Sequence, residues 1–234
     1  IAAAPNSADG LENIFLPLSK RDLKIEFIGD SITSGEGMIG SPSSDGGIEN
    51  EWVSTWISPS KNYAVQASQK LNADFSLISQ CGWGIVTSWD NNKNNIVPPL
   101  YEKVLFESEK WQADFVFVNL GTNDSSGFSK VDWQGADEIC DGVKSFLKVI
   151  RNANPSAKIC WIWGMIDVPL AVPYLEKGVK MYIDETGDKN VFTMALPSMS
   201  DEKTDEDKGS RGHPGHLTHK RASEKIIAFV TSKK

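Results

Sequence analysis

The chain has 234 residues, enough to bury roughly 70–75% of its extended surface around one apolar core. Hydrophobic residues make up 40% and charged residues 24%, a balance that excludes disorder or collagen-like repeats as the main state. With 24 Lys+Arg against 31 Asp+Glu the net charge is −7, and no stretch is basic enough for a nucleic-acid patch, so nucleic acid is not an expected partner.

In chain order, residues 1–19 show weak periodicity and read as an N-terminal strap or linker remnant ahead of a domain over residues 20–234. The chain opens on Ile1 without a charged segment ahead of an apolar one, so no targeting segment is read and the compartment stays open, secreted or cytoplasmic. Residues 24–28 are a short β-rich run closed by Gly29. A loop over residues 35–59 follows, carrying Trp52 and Trp56; at about 25 residues it is long for a connection without a function. Tyr63, Ala64, Ala67 and Leu71 recur at helical spacing, and residues 75–78 form a second β-rich run. Residues 83–99 read as another loop, with Trp89 and an Asn-rich stretch. A third run at 115–118 precedes a helical pattern through Ile139, Val143, Phe146, Leu147 and Ile150, which stops at Asn154-Pro155. Then come a run at 158–163, a helix over 172–183, a weaker run at 191–194, a charged stretch at 201–208 read as a solvated loop, and a last helix over 222–230. Strands alternating with helices predict an α/β fold: a five-stranded parallel sheet between two helical layers.

No run approaches the ~18–20 apolar residues of a membrane helix, because the most apolar window, 159–166, ends at Asp167. A membrane is therefore not expected as a partner. Cys81, Cys140 and Cys160 are odd in number and lie in no metal or disulfide pattern.

In an open parallel sheet ligands bind beyond the carboxyl ends of the strands. At those ends stand Gly29-Asp30-Ser31, Gly82 with Trp83, Gly121-Thr122-Asn123-Asp124 and, after the acidic loop, Gly212-His213-Pro214. They supply a hydroxyl, a flexible backbone N–H, an amide and an imidazole, the parts of a serine nucleophile with a base and oxyanion donors. The three histidines are His213, His216 and His219, so any base comes from this segment. Pro214 keeps His213 extended and outside the last helix. The three imidazoles could instead hold zinc, but spacing of three around a proline does not gather them on one face. No metal and no cofactor are expected. Asp30 reads as a turn residue bonding local backbone.

Gly29-Asp30-Ser31-Ile32, Gly82, Gly121-Thr122-Asn123-Asp124 and His213-Pro214 resemble, in order, the four blocks of the SGNH (GDSL-type) hydrolases, over roughly residues 24–230. Residues 24–33 and the spacing from His213 to His219 are similar to carbohydrate esterase family two, which removes acetyl groups from plant polysaccharides. The resemblance implies a flavodoxin-like SGNH fold, with Ser31 as nucleophile and His213 as base. It also implies an oxyanion hole from the Ser31 N–H, the Gly82 N–H and the Asn123 amide. Trp83, beside Gly82, is read as a substrate-binding indole. The expected partner is an acetylated carbohydrate; members of that family often carry an upstream β-sandwich domain, which this chain is read as lacking. Ser210 stands where most SGNH enzymes have Asp, which implies a Ser–His dyad whose histidine leans on a backbone carbonyl near residues 209–212; Asp201, Asp205 and Asp207 are the alternative acceptors. A short-chain or lysophospholipase-like esterase and an inactive carbohydrate-binding domain are the alternative functions.

Overall fold

Each of the five β-rich runs forms a parallel strand: β1 (Leu23–Gly29), β2 (Ala73–Ser79), β3 (Phe115–Asn119), β4 (Lys158–Trp163) and β5 (Val191–Ala195). The computed structural model describes residues 21–39, 56–107, 111–201 and 204–233; the N-terminal strap and Trp52 lie outside them. The sheet order is β2-β1-β3-β4-β5. The chain steps outward from β1 to β2 and then returns across β1 to β3, so the connections leaving β1 and β3 diverge. That switch point opens a crevice above Gly29 and Asn119, which are paired in register.

The helices are α1 (Ser31–Ser34), α2 (Tyr63–Lys70), α3 (Val97–Glu107), α4 (Thr122–Ser129), α5 (Glu138–Ala153), α6 (Val172–Thr186) and α7 (His216–Lys233). Side-chain alternation divides the core in two. Ile25 and Phe27 of β1, with Phe115, Phe117, Cys160 and Ile162, pack beneath α2 and α7. Ile28, Val116, Val118 and Trp161 pack on the other face against α3, α5 and α6. Six apolar residues of α5, from Ile139 to Ile150, are wholly or almost wholly buried, a gross gain of roughly 10 kcal/mol before chain entropy is charged.

Three segments differ from the sequence reading. The loop expected over 83–99 gives way to α3 at Val97, because Pro98 and Pro99 fall in a first turn whose N–H groups have no helical partner to lose. Residues 122–129, with little apolar periodicity, form α4. The charged stretch at 201–208 is not wholly solvated: Asp207 is buried, accepts from Thr204 Oγ1 and the Thr218 hydroxyl, and pairs with Arg221 of α7.

Candidate active site

β1 runs straight into the turn that presents Ser31. A Cβ on Gly29 would lie 2.0 Å from Thr33 Oγ1, so only glycine lets the chain fold back this tightly. Asp30 caps α1, its Oδ1 accepting from the Ile32 N–H at 3.0 Å. Ser31 opens that helix with its Oγ 2.8 Å from His213 Nε2. His213 is in extended backbone (φ −100°, ψ 162°) between the 3-10 turn Ser210–Gly212 and α7. Its Nδ1 lies 2.8 Å from the Arg211 carbonyl oxygen. A carbonyl can only accept, so Nδ1 carries the proton and Nε2 faces the serine hydroxyl bare.

The carbonyl expected within residues 209–212 is thus that of Arg211, aimed by an uncommon left-handed backbone at φ 57°, ψ 32°. The acidic alternatives are engaged elsewhere: Asp201 accepts from the Ser198 N–H and Asp207 is bound to α7, while the Asp205 side chain lies outside the described residues. Gly37 lets the histidine approach: a Cβ there would stand 2.5 Å from His213 Cβ and 2.7 Å from the Ser210 carbonyl oxygen.

Gly82 borders the same crevice in left-handed backbone (φ 78°), its carbonyl accepting from the Trp89 N–H at 3.0 Å. Asn123, in the first turn of α4, donates from Nδ2 to the Trp83 carbonyl at 2.9 Å and to Asp30 Oδ2 at 3.3 Å. Asp124 anchors the wall that carries Gly82: its carboxylate accepts the N–H groups of Ile85, Val86 and Thr87. Burial pushes the carboxyl of Asp30 up to about 7 and that of Asp124 up to about 6.

These groups open into a cavity of about 540 Å³, lined also by Glu36, Cys81, Trp89, Thr122, Ser126, Ile166 and Arg211. Trp83 is partly buried against the core on the face that carries Ile28 and Val118, with its carbonyl turned to Asn123, whereas Trp89 lines the cavity at 55% exposure. Both indoles follow Gly82 in sequence, and the Trp89 N–H donates back to the Gly82 carbonyl at 3.0 Å, a closure that nothing in the local sequence announces. Burial pushes the Cys81 thiol up to about 12, which leaves it unreactive as a nucleophile.

The histidines do not converge. His216 is exposed beside Glu206, and His219 is buried with Nδ1 accepting the Tyr63 N–H at 3.1 Å. Among the described residues no cluster of three metal-ligating side chains occurs.

The GDSL-like Lipase/Acylhydrolase family matches residues 27–220, and the chain belongs to that family. It is 26% identical over 229 residues to "Cellulase/esterase CelE" of Acetivibrio thermocellus, covering 90% of this chain and 25% of that protein. Among solved structures it is similar to an acetyl xylan esterase from the rumen bacterium Butyrivibrio proteoclasticus, with a TM-score of 0.77 and 30% identity, over 91% of this chain and 64% of that one. A family two carbohydrate esterase from Clostridium thermocellum, solved with cellohexaose, shares the fold at a TM-score of 0.76 and 24% identity, over 94% of this chain and 66% of that one. The chain spans about a quarter of the Acetivibrio thermocellus protein and about two thirds of these two solved chains.

Proposed function

We propose that residues 20–234 form the catalytic domain of a metal-independent serine esterase that removes O-acetyl groups from plant-type carbohydrate. The observation that carries this reading is the relay from the Ser31 hydroxyl through His213 to the Arg211 carbonyl, 2.8 Å at each step. Ser31 Oγ attacks the acetyl carbonyl as Nε2 takes its proton, and the carbonyl oxygen gains the negative charge. The N–H groups of Ser31 and Gly82 and the Asn123 amide receive that charge. Asn123 holds its amide in place through bonds to the Trp83 carbonyl at 2.9 Å and, more weakly, to Asp30 at 3.3 Å, which supports its use as an oxyanion donor. The tetrahedral adduct collapses, the imidazolium gives its proton to the departing sugar hydroxyl, and a water repeats the cycle to release acetate.

Support for the acetylated-carbohydrate substrate comes from the names of the relatives, cellulase/esterase and acetyl xylan esterase, and from Trp89, an exposed indole on the cavity wall suited to a sugar face. An upstream β-sandwich domain in the whole protein is part of the proposal, in keeping with solved relatives that extend beyond the matched region. A fluorophosphonate should label the wild type at Ser31 and leave Ser31→Ala unlabelled and inactive. Initial rates on acetylated mannan, xylan and cello-oligosaccharides should then rank the substrates. Equal kcat/KM on acetyl and octanoyl esters would instead indicate a general lipase-like esterase, and absence of labelling a non-catalytic binding domain.

A further inference from the structure

The cavity holds an ion pair that the reaction just described does not use. Glu36 follows the nucleophile helix, its N–H donating to the Ser31 carbonyl at 2.9 Å, and its side chain is only 5% exposed. Oε1 accepts from Arg211 Nε at 3.0 Å, and Oε2 lies 3.7 Å from His213 Nε2. The second distance is too long for a hydrogen bond, so Glu36 does not compete with Ser31 for the imidazole. It is short for a charge interaction in a half-enclosed site, where water screens less than in bulk.

Arg211 joins the two halves of this arrangement, because its carbonyl orients His213 while its guanidinium holds Glu36. It does so at φ 57°, which glycine adopts freely and arginine seldom does. An arginine at a position that suits glycine points to a use for the guanidinium. The adjoining backbone is stitched across as well, with the Ser210 N–H donating to the Gly37 carbonyl at 3.1 Å.

We propose that Glu36 is a positioning residue that acts on His213 from the Nε2 side as a triad carboxylate acts from the Nδ1 side. Its negative charge stabilises the imidazolium formed when Nε2 takes the Ser31 proton. Arg211 clamps the carboxylate where it leaves the proton path between Ser31 and His213 open. A neutral carbonyl fixes the tautomer but supplies little charge, and Glu36 makes up that deficit. No proton passes to Glu36 and no bond to it forms. The inference rests on the Ser31–His213 esterase reading.

The test is acetyl-ester kinetics on Glu36→Gln and Arg211→Gly, with thermal melting of each. Gln keeps the acceptor for Arg211 and removes only the charge, so kcat should fall about 10- to 100-fold while KM stays within about threefold and the melting temperature within a few degrees. Gly at 211 keeps the left-handed backbone and its carbonyl but releases the clamp; kcat should fall about tenfold, and the double variant should be no slower than the slower single one. Should Glu36→Gln not fold, Arg211→Gly decides alone. A kcat within twofold of wild type in the folded single variants overturns the proposal, as does a loss matched by a large drop in melting temperature. Fluorophosphonate labelling of the wild type and the Ser31→Ala rate separate the two readings. If the wild type labels and Ser31→Ala is dead while Glu36→Gln is fast, only this inference falls; if the wild type does not label, the esterase reading falls and takes it along.

Discussion

Gly37→Ala isolates how finely the proposed base is placed. At φ 81° an alanine pays the left-handed backbone cost of about 1–2 kcal/mol. Gly187, at φ 71° with nothing within 4 Å of its would-be Cβ, pays the same backbone cost and nothing more. The 2.5 Å approach of the new methyl to His213 Cβ falls 0.9 Å short of the 3.4 Å where ordinary contact begins. The Ser210 carbonyl blocks an alternative path at 2.7 Å, so the imidazole has to shift by close to 1 Å. A misplacement of that size costs on the order of 10²-fold in rate. Acetyl-ester kcat should therefore fall about 10²-fold in Gly37→Ala and stay at the wild-type level in Gly187→Ala. Gly187→Ala should melt roughly 2–8 °C below wild type, and Gly37→Ala lower still. Wild-type kcat in a folded Gly37→Ala would refute the reasoning, since it would mean that His213 tolerates displacement or is not the base.

His213→Ala should be inactive and His216→Ala largely active in the same ester assay; the reverse would move the base to the exposed histidine. Asn123→Ala should lose about 10²–10³ in kcat, and a change confined to KM would assign it to substrate binding instead. EDTA should leave the rate unchanged, and recovery by added zinc after a loss would count against the hydroxyl–imidazole chemistry. Burial moves two groups in opposite directions, Asp30 from 3.8 up to about 7 and His219 from 6.5 down to about 3. The Asp30 contribution to stability is present below pH 4 and lost as pH rises through 7, whereas that of His219 is present above 6.5 and lost as pH falls through 3; each is on the order of 4–5 kcal/mol. In urea unfolding Asp30→Asn should therefore gain on wild type as pH rises from 4.5 to 7, and His219→Gln should gain as pH falls from 6.5 to 4.5; parallel curves would contradict the burial argument.

The framework was legible because each strand is a compact β-rich run and α5 carries an uninterrupted apolar stripe. The flavodoxin-like sheet order agrees with the shared architecture of the solved relatives. Ser31, Gly82, Asn123 and His213 could be listed together because the strand order brings four strand ends to one rim. α3 and α4 were hidden for opposite reasons. One begins with two prolines that read as a loop, and the other has too few apolar residues to show a period. Glu36 and Arg211 were hidden because 175 residues separate them and neither belongs to a local pattern. Arginine at a left-handed position runs against the preference that a sequence reader applies. Trp83 and Trp89 could not be separated from composition, since the choice depends on how the turn between them closes.

The acceptor that orients His213 belongs to the main chain, and this changes which mutations can harm it. A triad carboxylate is removed by one codon change, but a carbonyl survives every substitution and can only be moved. Inactivating changes around this loop should therefore be conformational, at Gly37, Gly209 or Gly212, where a side chain alters the backbone path. A Cβ on Gly209 would meet the Gly37 carbonyl oxygen at 2.2 Å, whereas Gly212 has open space around it and is held only by its φ of 67°. The proposed base and the carbonyl that orients it thus travel together as one three-residue unit, Arg211-Gly212-His213. On gentle heating, activity should fade with the ordering of this turn before the sheet beneath it melts.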